Sequence, residues 1–116
     1  MSMDLIQISN DRVISDADLG ASQTSALVEL KNGTGFAAQI SWTGGSSTAG
    51  DVIVEGTNDE PQTTQTFTQI STDAVSTTSG SLMKNNSGVM YAYVRVRWVR
   101  SAGTGGTISC RVSVKR

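Results

Sequence analysis

The chain has 116 residues, with nine basic and ten acidic side chains, no histidine and a single cysteine, for a formal charge of −1. That length fits one folding unit of roughly 100–150 residues and rules out a second. The residue inventory excludes Ser-His-Asp triads, Cys-His pairs, ordinary zinc sites and any internal disulfide.

Sixteen serines, 14 threonines and 12 glycines against one proline make a turn-rich, β-leaning composition in which helix is disfavoured. Residues 1–25 read as an N-terminal arm docked on another molecule or as edge strands, with short strands at Leu5–Ile8 and Arg12–Ile14. Met1–Asp11 holds two acids and no base, the wrong flank for a secretory signal, and a lone cysteine that can form no internal disulfide fits cytoplasmic synthesis. Ala26–Lys31 and Phe36–Trp42 follow as strands, joined through Asn32-Gly33-Thr34-Gly35 as a hairpin-type turn. Asp51–Thr57, Thr66–Ile70 and Ser81–Lys84 are weaker strands, and Thr63–Ser79 is polar and low in complexity.

The clearest alternation is C-terminal. Val94, Val96 and Trp98 fall on one face with Tyr93, Arg95 and Arg97 on the other, and Ile108, Cys110, Val112 and Val114 alternate with polar residues. Arg100–Gly106 between them is turn chemistry, so the pair predicts a long antiparallel hairpin that needs a second sheet over its valine face. Turn signals every ~8–12 residues and about eight short strands point to an all-β fold. The expected architecture is a single antiparallel β-sandwich of jelly-roll type over residues 26–116. No apolar run approaches the ~20 residues of a membrane-crossing helix.

Charge is polarised along the chain. Residues 1–75 hold all ten acids, whereas residues 76–116 hold seven bases and no acid. The favoured reading is that strands of the two halves lie side by side and neutralise each other; the sharper one sets a basic face of one copy against an acidic face of the next. Nucleic acid is not an expected partner, because phosphate contacts would work against a nearby field of carboxylates.

No constellation supports catalysis. Asp51 and Glu55 stand four apart on one strand face, about 13 Å at ~3.3 Å per residue, too far for a glycosidase pair. Cys110 reads as a small buried hydrophobe, and no cofactor or metal is expected. Trp42, beside the Thr43–Gly50 loop, divides evenly between core packing and a sugar-stacking platform; the Asn58-Asp59 turn is the other candidate for ligand binding. Tyr91, Tyr93, Arg95 and Arg97, with Arg111, form the candidate interface, a residue mix that interfaces enrich.

Asp51-Val-Ile-Val-Glu-Gly-Thr-Asn-Asp-Glu60, then Thr66-Phe-Thr-Gln-Ile70, then Tyr91-Ala-Tyr-Val-Arg-Val-Arg-Trp98, resembles a pattern of discoidin-like β-sandwich domains that small tailed-phage virion proteins share. Phe67 stands where the pattern usually has tryptophan. The resemblance implies a discoidin-like or jelly-roll sandwich in a non-enzymatic virion structural protein: a capsid decoration, head-fibre or head/tail-associated component. Its implied partners are copies of itself and other virion proteins. A carbohydrate-binding module, with glycans as partners, is the alternative.

Overall fold

A computed structural model describes residues 8–30, 35–87 and 91–115, with side chains from Arg12 onward. Leu5–Gln7 and the turn at Asn32-Gly33-Thr34 lie outside the described residues. The described chain is all strand and turn: β1 (Ile8–Asp18), β2 (Gln23–Thr24), β3 (Val28–Glu29), β4 (Gly35–Thr43), β5 (Ser46–Thr57), β6 (Thr68–Val75), β7 (Gly80–Ser87), β8 (Tyr93–Thr104) and β9 (Thr107–Lys115). Two antiparallel sheets form a β-sandwich. Sheet I has the order β1-β9-β4-β7; sheet II has β2-β8-β5-β6, with β3 also on β8.

The two sheets are one antiparallel ribbon folded over. Strand β4 pairs with β9 from Gly35↔Lys115 to Thr43↔Thr107. The same register resumes in sheet II as β5 against β8, from Ser46↔Thr104 to Thr57↔Tyr93, with one irregularity near Ala49. Gly44-Gly45 and Gly105-Gly106 are therefore the two sides of a corner through which both ribbon strands change sheet, and Gly44, Gly105 and Gly106 there have positive φ. The N-terminal stretch follows the same course, β1 on β9 and then β2 and β3 on β8. Strands β6 and β7 do so along β5 and β4.

This corrects the predicted hairpin of the last two strands. Strands β8 and β9 belong to different sheets, and so do β3 and β4. Glycines at positive φ serve a tight reversal and a sheet-to-sheet corner equally well. What decides between them here is that β4 and β5 offer both C-terminal strands a continuous partner.

The core lies between the sheets, where period-two alternation sends one side chain in two. Ala38, Ile40 and Trp42 of β4 and Ile108, Cys110, Val112 and Val114 of β9 face Val52 and Val54 of β5 and Val94, Val96 and Trp98 of β8. Leu19 plugs the corner end: its N–H donates to the Gly106 carbonyl at 3.1 Å, and its carbonyl accepts from Trp98 Nε1 at 2.9 Å. At the outer edge, Asp73 of β6 and Lys84 of β7 occupy inward-facing registers and meet at 2.9 Å across the mouth of the sandwich. Charges turned inward on edge strands oppose edge-to-edge pairing with another sheet.

Cys110 is buried, and burial pushes its thiol up to about 12. Ellman's reagent at a pH near ~8 should leave the folded protein unlabelled and titrate the single thiol only in denaturant. Unfolded, the thiol ionises near its ordinary value of 9.0. Its contribution to stability is thus complete below that pH and declines as pH rises toward about 12. Cys110→Ala should lack this part of the alkaline loss.

Candidate functional site

The sandwich offers two broad outer surfaces with different chemistry. On sheet II, Tyr93, Arg95 and Arg97 project outward from β8, as the alternation predicts, and all three are half-buried. They are occupied from within the chain. Glu55 on the neighbouring β5, only 6% exposed, places Oε1 2.5 Å from Arg95 Nε and 2.9 Å from Arg97 Nε. The 58–67 loop folds over the same surface, setting the Phe67 ring 3.5 Å from the Arg95 guanidinium carbon. Glu60 accepts from the Tyr93 hydroxyl at 3.4 Å. Burial, followed by the charges of Glu60 and Glu29, raises the Tyr93 pKa above its ordinary value. On this face one acid from the N-terminal half, Glu55, pairs with two bases from the C-terminal half inside one molecule.

Tyr91 leaves the predicted stripe. Strand β8 begins only at Tyr93, so the alternation does not reach back to residue 91. The Tyr91 ring lies against Gly56, where an added Cβ would fall 2.6 Å from it, and packs on the edge of the core.

The Asn58-Asp59 turn is tied down in the same way. Asn58 Oδ1 accepts from the Ala92 N–H at 2.7 Å, and Asp59 Oδ2 from the Thr66 N–H at 2.6 Å. The Asp59 carbonyl takes a further bond from Gln65 Nε2 at 3.0 Å. These oxygens brace the loop. Trp42 is 8% exposed and donates through Nε1 to the Thr77 carbonyl at 3.1 Å, so its ring presents no face to a sugar. Among the described residues, no group of three or more His, Cys, Asp or Glu is placed to hold a metal ion.

Sequence reasoning did not single out Glu55 as the centre of the sheet II surface. The signal was an isolated acid inside Val-Ile-Val-Glu-Gly facing a strand with arginines at alternate positions. Removing it by Glu55→Ala strands two half-buried guanidiniums and should cost about 1–3 kcal/mol in urea unfolding, discounted for their partial exposure. Glu55→Gln should fall between this variant and the wild type.

Sheet I is bare by comparison. Its outer surface presents Ala37, Gln39, Ser41, Ser81, Asn85, Ser109 and Ser113, together with Met83 at 54% exposure. Toward the β1 edge, Arg12, Asp16, Gln39, Ser41, Ser109 and Arg111 line an open cleft of about 350 Å³. Asp16, at φ 47 in an irregular stretch of β1, forms its rim. Its carboxylate accepts from Arg12 Nη2 at 3.2 Å and from Ser109 Oγ at 3.0 Å. Arg111 sits directly across from Arg12 in the β1–β9 register. It is exposed and has no acidic partner among the described residues. Of the five predicted interface residues, Arg111 alone is exposed, on the opposite side of the sandwich from Tyr93, Arg95 and Arg97.

No protein-family model matches the chain, and no curated protein matches it in sequence. Among solved structures, the fold is shared with the SPBc2 prophage-derived protein YomS, known from its crystal structure. The two superpose with a TM-score of 0.67 over 100% of this chain and 99% of that one, at 13% sequence identity. The chain therefore has the fold of a phage-derived all-β protein. The segments carrying the discoidin-like resemblance fall mainly on β5, β6 and β8, three adjacent strands of sheet II.

Proposed function

We propose that this chain is a non-enzymatic structural protein of a phage virion, a capsid decoration, head-fibre or head/tail-associated component that acts through protein–protein assembly. The observation that carries the reading is the end-to-end likeness of its fold to a prophage-derived protein. The outer surface of sheet I supports it, since a polar face with an exposed methionine and an arginine that has no acidic partner among the described residues suits docking better than catalysis. In this reading the protein resides in the virion, beside copies of itself and other virion proteins, and the sandwich is a discoidin-like or jelly-roll variant. Its partners include neither nucleic acid nor membrane, and it uses no cofactor. The carbohydrate alternative draws on Trp42 beside its glycine-serine loop and on the discoidin-like pattern, and the Trp42 ring packs in the core.

Immunogold labelling of particles produced by the phage or prophage that encodes the chain tests this directly. Gold on intact particles, and co-sedimentation of purified protein with particles stripped of it, are the expected results. Unlabelled particles and no co-sedimentation would overturn the proposal.

A further inference from the structure

We infer that the outer surface of sheet I docks the acidic outer side of sheet II on a second copy of the chain. This deepens the assembly reading above and rests on it. On the basic side, Arg12 and Arg111 stand opposite each other over the cleft. Asp16 compensates only Arg12, and Arg111 has no acidic partner among the described residues. Gln39 and Ser41 add amide and hydroxyl donors around it. A cleft rich in donors and carrying excess positive charge selects a carboxylate, which a guanidinium fork can grip through two parallel hydrogen bonds.

The acids that could fill it lie on the other side of the same molecule. Within sheet II, Glu55 is consumed by Arg95 and Arg97. Asp51, facing outward on β5, has no basic partner among the described residues. Glu60 is exposed in the loop beyond β5, and its carboxylate has no basic partner among the described residues, meeting the Tyr93 hydroxyl at 3.4 Å. Among the described residues, the thin sandwich, 19 Å along its shortest extent, thus carries an arginine without an acidic partner, Arg111, on one broad face and two acids without a basic partner, Asp51 and Glu60, on the other.

That polarity fixes the kind of contact. A two-fold contact of two sheet I surfaces centred on this cleft would bring Arg12 and Arg111 against their own copies, a like-charge arrangement that costs stability. Sheet I of one copy on sheet II of the next is instead heterologous, and such contacts build rings or open chains. Four strands about 4.8 Å apart and nine residues long at ~3.3 Å per residue give a face of roughly 600 Å². A stable pairwise complex takes about 800 Å² per partner. Each contact is therefore weak and salt-sensitive, and it gains strength when repeated on an array.

Sedimentation equilibrium of the full chain distinguishes the outcomes. In ~20 mM salt the wild type should show at least about twice the 12.2 kDa mass of one chain, and in ~500 mM salt it should return to that mass. Arg111→Glu and the double variant Asp51→Arg/Glu60→Arg should each stay at the single-chain mass in low salt, with unchanged circular dichroism. Mixed in equal amounts they should reassemble, because each restores the charge the other lost. The inference is overturned if the wild type is monomeric in low salt, if Arg111→Glu sediments like the wild type, or if the mixture fails to associate. Assembly that survives Arg111→Glu removes this contact but leaves the virion proposal standing, which only the particle experiment can remove.

Discussion

Gly106→Ala should destabilise the protein by about 3 kcal/mol or more, whereas Gly105→Ala, one residue earlier, should cost only about 1–2 kcal/mol. Both glycines adopt positive φ, +66° at Gly105 and +83° at Gly106, so both substitutions place an L-residue in a conformation it resists. They differ in what the new methyl meets. At Gly105 the nearest atom is the Gly44 carbonyl oxygen at 3.7 Å, an ordinary contact. At Gly106 a Cβ would lie 2.6 Å from both the Gly45 nitrogen and the Thr43 oxygen, backbone atoms of the other ribbon strand at its corner. Relief requires the two corners to separate, and Leu19, which donates to the Gly106 carbonyl, moves with them. Urea unfolding checks the pair. Equal losses at the two positions would mean that the corners are not pressed together as described.

Trp98→Ala should cost about 3–5 kcal/mol, a large part of the ~5–15 kcal/mol that holds a domain of this size folded. Trp98 is the largest fully buried side chain, at 1% exposure, and lies at the sheet II side of the corner. Its removal opens a cavity in a two-sheet core and leaves the Leu19 carbonyl without its 2.9 Å donor. Trp98→Phe keeps much of the volume and loses the hydrogen bond, so about 1–2 kcal/mol is expected. Thermal melting followed at a far-ultraviolet wavelength should rank wild type, Phe and Ala in that order. A Trp98→Ala protein that melts with the wild type would show that the ring is not enclosed.

The strands were legible because burial imposes a local rule. Alternate positions in Phe36–Trp42, Asp51–Thr57 and Thr107–Lys115 announce their inward faces, and the structure places strands there with Ile40, Val54 and Val112 inside. Which sheet holds each strand was not legible. Alternation says that Val96 and Cys110 both point inward, but it is equally satisfied by strands lying side by side or facing across the core. The partition is set by pairing partners some 40–70 residues away in sequence, Ile40 with Cys110 and Val54 with Val96, for which no local signal exists.

The candidate site was legible in its charges and less so in its exposure. Arg95 and Arg97 do face outward from β8, but nothing near them in sequence shows that Glu55 and Phe67 cover them. Alternation through Tyr91 predicts an outward ring, but the strand starts two residues later and the Tyr91 ring packs on the edge of the core. Arg111 was recognisable as an outward base; its isolation opposite Arg12 appears only once β1 is seen to lie beside β9.

The separation of the two charged surfaces depends on β8 and β9 lying in different sheets, and backbone nuclear Overhauser contacts test that most directly. Strand neighbours lie within about 5.5 Å between Cα atoms, whereas facing sheets are ~10 Å apart. The ribbon predicts backbone contacts between Val96 and Val54 and between Cys110 and Ile40, with none between the backbones of Val96 and Cys110. A ladder of backbone contacts joining β8 directly to β9 would contradict it, putting Arg95, Arg97 and Arg111 on one face and removing the basis for the docking surface.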